Sequence, residues 1–260
     1  MKLWFSPSEP DWPLLNPSLR QLDLDYQGPG QGEFHTGDLT SVTVYNNGSI
    51  TRIIDSQQSG TQHYNFIGDS AGAWARNVFV PRGEKLQVFI TARSADAMVI
   101  DFEFFLHESS ELELRYLGNV HHRQTHARFR INHLGINSRS DVRTATIAHK
   151  GSASTVLVDT TMPPGCAGSA SSVKCYNWSA GGRIGSLPII SVGEPDVAAT
   201  HGNVVYDIDR EAVFLLQLRG IDPAVARGEI LYGQLIQGMS NDGVDLLDWD
   251  DLRECLNYEY

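Results

Sequence analysis

The chain has 260 residues, 41% of them hydrophobic, with 31 acidic against 20 basic side chains and a net charge of −11. That is enough apolar material for a sizeable core in one or two domains. The acidic balance disfavours nucleic acid and anionic membranes as partners, since both repel a negative surface.

Residues 1–35 are rich in Pro, Gly and Asp and read as an irregular leader. Pro7, Pro10 and Pro13 break this start at once, so it does not read as a signal peptide. No run approaches the roughly 18 apolar residues a membrane helix needs. Cys166, Cys175 and Cys255 are odd in number and widely spaced, which predicts free thiols and a cytoplasmic setting.

From 36 to 207 the signal is strand after strand. Residues 41–45 are β-branched, and the Asn47-Gly48 pair after them reads as a tight hairpin turn. Residues 86–91 and 98–106 read as strands, and 111–116 alternates strictly, as does 127–131. Residues 144–148 and 155–159 follow. The joints are short and small: Pro81-Arg82-Gly83-Glu84, Glu108-Ser109-Ser110, Gly135-Ile136-Asn137-Ser138, Lys150-Gly151-Ser152. Evenly spaced strands without intervening helices suit a sandwich, a barrel or a β-solenoid. Recurring small-polar corners favour the solenoid, with one rung about every 20 residues.

After residue 208 the apolar period changes to that of helices. Asp209 is a plausible N-cap, and Gly220 sits where a C-terminal glycine belongs. Asp222-Pro223 opens a second helix, running to about Gln237, with Ala226, Ile230, Leu231 and Leu235 on one face. Gly238 to Gly243 should break it, and 246–258 reads as a third helix.

At this boundary the chain reads Val197-Ala198-Ala199-Thr200-His201-Gly202, then Ile208-Asp209, then Phe214-Leu215-Leu216-Gln217-Leu218-Arg219-Gly220-Ile221. This junction resembles the SufB/SufD family, the β-helical scaffold subunits of the SUF iron–sulfur cluster assembly system. Looser similarity extends back to about residue 80. The resemblance implies a right-handed parallel β-helix capped by helices and no enzymatic reaction of its own. It implies an ABC-type ATPase partner, SufC-like, docking on the helical segment through residues such as Phe214, Arg219, Ile230, Leu231 and Leu235. It also implies a homodimer, or a heterodimer with a SufB/SufD-like subunit, formed through the β-helix, with a transient iron–sulfur cluster near the interface. His201 matches the family's marked His, and Cys175 lies near the position of the SufB branch's Cys. The chain departs from the pattern at Ala199, where the SufD branch commonly has Cys, and at Gly202 and Asn203. It is shorter than typical members and carries no counterpart of their long N-terminal helical region.

His201 and Cys175 are therefore the candidate ligands, since imidazole and thiolate both suit iron and Fe–S species. His121, His122, His126 and His133 form a second cluster, without a carboxylate at metal spacing. A rival reading is a serine hydrolase, because Gly68-Asp69-Ser70-Ala71-Gly72 matches the nucleophile-elbow pattern. A β-solenoid binding module of other purpose, such as a carbohydrate binder, is the third. No G-x-x-x-x-G-K-[ST] occurs, so the chain itself should not hydrolyse ATP.

Overall fold

The computed structural model describes residues 32–34, 41–46, 50–57, 59–68, 72–94, 97–121, 123–206 and 209–239. The leader and the third helix expected from sequence lie almost wholly outside these residues. Among the described residues, fourteen strands alternate between two sheets. One sheet holds β1 (Gly32–Phe34), β3 (Ile50–Gln57), β5 (Gly72–Val80), β7 (Met98–Leu106), β9 (Gln124–His133), β11 (Ala153–Met162) and β13 (Arg183–Val192). The other holds β2 (Ser41–Asn46), β4 (Gly60–Gly68), β6 (Lys85–Ser94), β8 (Glu111–Val120), β10 (Arg139–His149), β12 (Ala170–Ala180) and β14 (Ala198–Tyr206). Every pairing between these strands is parallel. The fold is a parallel β-solenoid, as the corner pattern suggests.

Lys85, Glu111, Arg139, Ala170 and Ala198 lie side by side across consecutive coils, so one coil takes 26 to 31 residues. That is longer than the rung expected from sequence, because each coil is built from two long strands. The hairpin at Asn47-Gly48 is not formed. The turn itself lies outside the described residues, but β2 pairs with β4 and β3 with β1 and β5, in different sheets.

One corner stacks through the backbone. Gly83 N–H donates to Glu108 C=O, Ser109 to Ile136, Asn137 to Ala167 and Gly168 to Asp196, at 2.7–2.9 Å. All four donors have positive φ, including the non-glycines Ser109 (55°) and Asn137 (56°). Short polar side chains tolerate that region, which is why the joints carry Gly, Ser and Asn.

Alternation sorts the strands' side chains between lumen and exterior. The middle coils fill the lumen with Tyr64, Phe66, Phe102, Phe104, Tyr116 and Phe129, all buried. Across the lumen the rings pack edge-on or tilted, with centroids 5.2 Å apart for Tyr64–Phe102 and 5.1 Å for Tyr116–Phe129, while Tyr64–Phe66 and Phe102–Phe104 stack. Each such side chain contributes roughly 1.5–3 kcal/mol by leaving water. Toward the C-terminal coils the lumen changes to Thr144, Thr146, Cys175 and Asn177, all of them buried.

Two helices follow. α1 (Arg210–Gln217) is capped by Asp209, whose Oδ1 accepts from the N–H groups of Glu211 and Ala212 at 2.9 and 3.1 Å. It ends in a Schellman pattern: Ile221 N–H donates to Leu216 C=O and Gly220 N–H to Gln217 C=O, with Gly220 at φ 83°. α2 (Pro223–Met239) lies across the outer face of the even-numbered sheet. Leu231, Leu235 and Met239 are buried there against Phe89, Leu117, Ala145, Ile147 and Trp178. Gly238, expected to stop the helix, is inside it. A Cβ at this position would meet the Tyr176 ring at 3.2 Å, so the missing side chain is what lets the helix approach the sheet.

Candidate functional site

The last coil brings the two candidate ligands onto neighbouring strands. His201 of β14 is in register with Val173 of β12, and Asn203 is in register with Cys175. Val173 and Cys175 both point into the lumen core, so His201 has the same pleat sense. The Cα atoms of His201 and Cys175 are thus diagonal neighbours, roughly 8 Å apart on strand geometry. Their environments are opposite. His201 is exposed, because β14 ends its sheet and no further described coil covers it. Cys175 is 1% exposed.

The surroundings of Cys175 are polar and well connected. Thr144 of β10 and Asn203 of β14 flank it in register. Ser186 of β13 reaches across the lumen, donating from Oγ to Asn203 Oδ1 at 2.9 Å. Asn203 Nδ2 donates to Ser186 C=O at 2.9 Å, and Asn177 Nδ2 donates to Asn203 Oδ1 at 2.8 Å. Asn203, a departure from the family pattern, is therefore the residue that ties the last coil to the one before it. Burial pushes the Cys175 thiol up, while hydrogen bonding toward Thr144 and Ser186 pulls the other way. The net rise keeps the sulfur protonated at neutral pH, so it becomes a soft ligand only on losing that proton to a metal.

Cys166 is also fully covered, and burial together with nearby Glu194 raises its thiol. Cys255 lies outside the described residues. The histidine cluster disperses. His133 is a buried lumen residue held by Ser138 Oγ at 2.7 Å and Ser140 Oγ at 3.0 Å, and burial lowers its pKa to about 4. His126 faces the other way along the same strand and is likewise lowered to about 4 by burial. His121 stacks on His149 at 4.0 Å, and His122 lies outside the described residues. His133 thus takes a buried polar niche rather than a solvated strand position. Among the described residues, no group of three His, Cys, Asp or Glu side chains is arranged to hold a metal ion.

The helical candidates also divide. Phe214 is 55% exposed, and Arg219 is exposed beside it at the end of α1. Ile230 is half-buried. Leu231 and Leu235 are fully buried on the β-body, so their side chains present no free face. The exposed apolar residues that sequence reasoning passed over are Leu215, Leu218 and Val225 at 53%, 67% and 55%. For Leu215 and Leu218 the signal was the second, outward stripe of the apolar run through α1, whereas Val225 sits in the first turn of α2.

The nucleophile-elbow reading fails on what surrounds it. Ser70 lies outside the described residues, but Gly68 ends β4 and Gly72 begins β5. The segment after the motif is a strand crossing to the other sheet, where an elbow needs a helix.

Residues 25–234 match the family described as SUF system FeS cluster assembly, SufBD core domain. The chain belongs to the SufB/SufD family. The comparison with curated proteins returned no match. Membership places the chain in SUF iron–sulfur cluster assembly, in a family of assembly subunits. It also accounts for the parallel solenoid with its C-terminal helix. No described helix is long and apolar enough to cross a membrane.

Proposed function

We propose that this SufBD-core chain is a non-catalytic scaffold subunit of a cytoplasmic SUF-type complex, pairing with a SufC-like ABC-type ATPase and with a second SufB/SufD-like chain. The observation that carries the reading is the division of labour between the helices. α2 spends its apolar face on the β-body, whereas α1 leaves Phe214, Leu215 and Leu218 in water. Exposed aromatic and aliphatic residues grouped on one helix are what a partner groove uses as anchors. The second chain fits the last coil, where Val204 and Val205 are exposed on a strand at the end of its sheet.

The nascent cluster is cargo in this reading. His201 and Cys175 supply two soft donors, and a cluster generally takes four protein ligands. The second chain supplies the others, so cargo is held between subunits. The test is co-expression with a SufC-like ATPase, comparing the wild type with a Phe214→Ala, Leu218→Ala double variant. A complex that survives purification and is lost in the double variant supports the surface. No complex with either protein, or one indifferent to both changes, sinks it.

A further inference from the structure

The described solenoid ends at a mouth where β13 and β14 are each the last strand of their sheet. One side chain spans that mouth above Cys175. Asn203 of β14 is in register with Cys175 of β12, so the two backbones lie roughly 5 Å apart along the solenoid axis. Cys175 points into the lumen core, and Asn203 shares its pleat sense. Asn203 is exposed, whereas Cys175 is 1% exposed. The amide thus meets water on one side and shields the thiol on the other.

The amide is held at both ends. Its Oδ1 accepts from Ser186 Oγ at 2.9 Å and from Asn177 Nδ2 at 2.8 Å, and its Nδ2 donates to Ser186 C=O at 2.9 Å. Two of these bonds run to the opposite sheet, so the side chain bridges the mouth from wall to wall. The next residues on the same face of β14, His201 and Val205, are in register with Val173 and Asn177 and leave Cys175 to Asn203. The backbone of β14 is paired with β12, so the amide can swing outward about its own two torsions without moving the strand. Underneath, the lining is polar. Thr144 flanks Cys175 on the preceding coil and is buried. Asn177 Oδ1 is buried and accepts no hydrogen bond from the described residues. Swinging the amide out therefore opens a polar recess that ends at the sulfur.

We propose that Asn203, clasped to Ser186, is a positioning residue that gates Cys175. Closed, it withholds the thiol. Open, it admits a thiophilic ligand, which binds the sulfur as the thiol proton leaves to water. A soft metal ion then meets the exposed His201 imidazole first and the Cys175 sulfur second. That order rests on the reading of both residues as cargo ligands. The gate itself does not, because it is defined by access to the thiol alone.

The experiment is alkylation of the native full chain with iodoacetamide, in which the thiolate displaces iodide. Peptide mass spectrometry then separates Cys175 from Cys166, the internal standard, which is equally covered and lies between β11 and β12. In the wild type Cys175 should react no faster than Cys166. Asn203→Ala removes all three bonds and should speed Cys175 by about tenfold or more, with Cys166 unchanged. Ser186→Ala removes one bond and should give a smaller rise. Thr200→Ala, an exposed position on the other face of β14, should give none. An unchanged Cys175 rate in Asn203→Ala, an equal acceleration of Cys166, or as large a rise in Thr200→Ala overturns the proposal. Should Asn203→Ala lose the circular dichroism of the wild type, Ser186→Ala decides by the same comparison. No iron is present, so a failure of the cargo assignment leaves this readout unchanged.

Discussion

Trp178 Nε1 donates to Gln234 Oε1 at 2.8 Å, joining β12 to α2 at the centre of the helix seat. Around this bond Trp178 stacks on Tyr206 at 5.1 Å, and Leu231 and Leu235 close the pocket. Leu235→Ala should therefore cost about 2–5 kcal/mol, as a cavity in a packed interface. Gln234→Ala should cost about 1 kcal/mol. Phe214→Ala, on an exposed position, should stay within about 0.5 kcal/mol. Urea unfolding followed by circular dichroism checks all three, and a Leu235→Ala value no larger than that of Phe214→Ala would mean α2 is not seated as described.

Glycine at 238 and 233 should respond in opposite directions. A Cβ at Gly238 meets the Tyr176 ring, so Gly238→Ala should destabilise by about 1–3 kcal/mol. Gly233 has open space around its Cβ position, and Gly233→Ala should stabilise by about 0.5–1 kcal/mol through helix propensity. Thermal midpoints of the two variants moving the same way would contradict the packing.

His133 sets a pH dependence. Burial lowers its folded pKa to about 4 from an ordinary 6.5, so the native state keeps the ring neutral while the unfolded chain takes up a proton. Its contribution is complete above about pH 6.5 and is lost as pH falls toward 4, on the order of 3 kcal/mol in all. His126 adds a loss in the same window. Denaturant titrations between pH 7.5 and 4.5 should show a slope that is shallower in His133→Asn. An unchanged slope would mean His133 is not held neutral.

Cys175 and His201 should separate in a thiol and reconstitution assay. The native thiols of Cys166 and Cys175 should react with a disulfide reagent only as the chain unfolds, because both are covered and raised. His201→Ala should leave stability within about 0.5 kcal/mol, as an exposed end-strand residue. If His201 and Cys175 hold cargo, anaerobic addition of iron and sulfide gives a visible chromophore that weakens in His201→Ala and Cys175→Ser. A chromophore of equal strength in both variants would remove these residues from the cargo site.

Much of the solenoid was legible where lumen positions are large and apolar. Glu111 to Tyr116 alternates because Leu112, Leu114 and Tyr116 fill the lumen. β12 and β13 escaped notice because Ser171, Cys175, Asn177 and Ser186 take the equivalent places, and small polar residues blur the period. Asn47-Gly48 signalled a bend truthfully, but a bend does not say whether the next strand returns alongside or crosses to another sheet. The stripe of Leu231 and Leu235 announced a covered face without naming its cover. The candidate site was half legible. The junction marked His201 and Cys175, whereas the Ser186–Asn203–Asn177 network depends on contacts across the lumen that no local spacing encodes.

The end strand β14 has a further consequence for assembly. If two copies meet through it by a two-fold axis, each uses up the same edge and growth stops at a pair. If unlike ends meet, the contact never closes and rods result. Sedimentation across a concentration series separates these cases. A plateau at twice the chain mass marks the closed arrangement, and a mass that climbs without limit marks the open one.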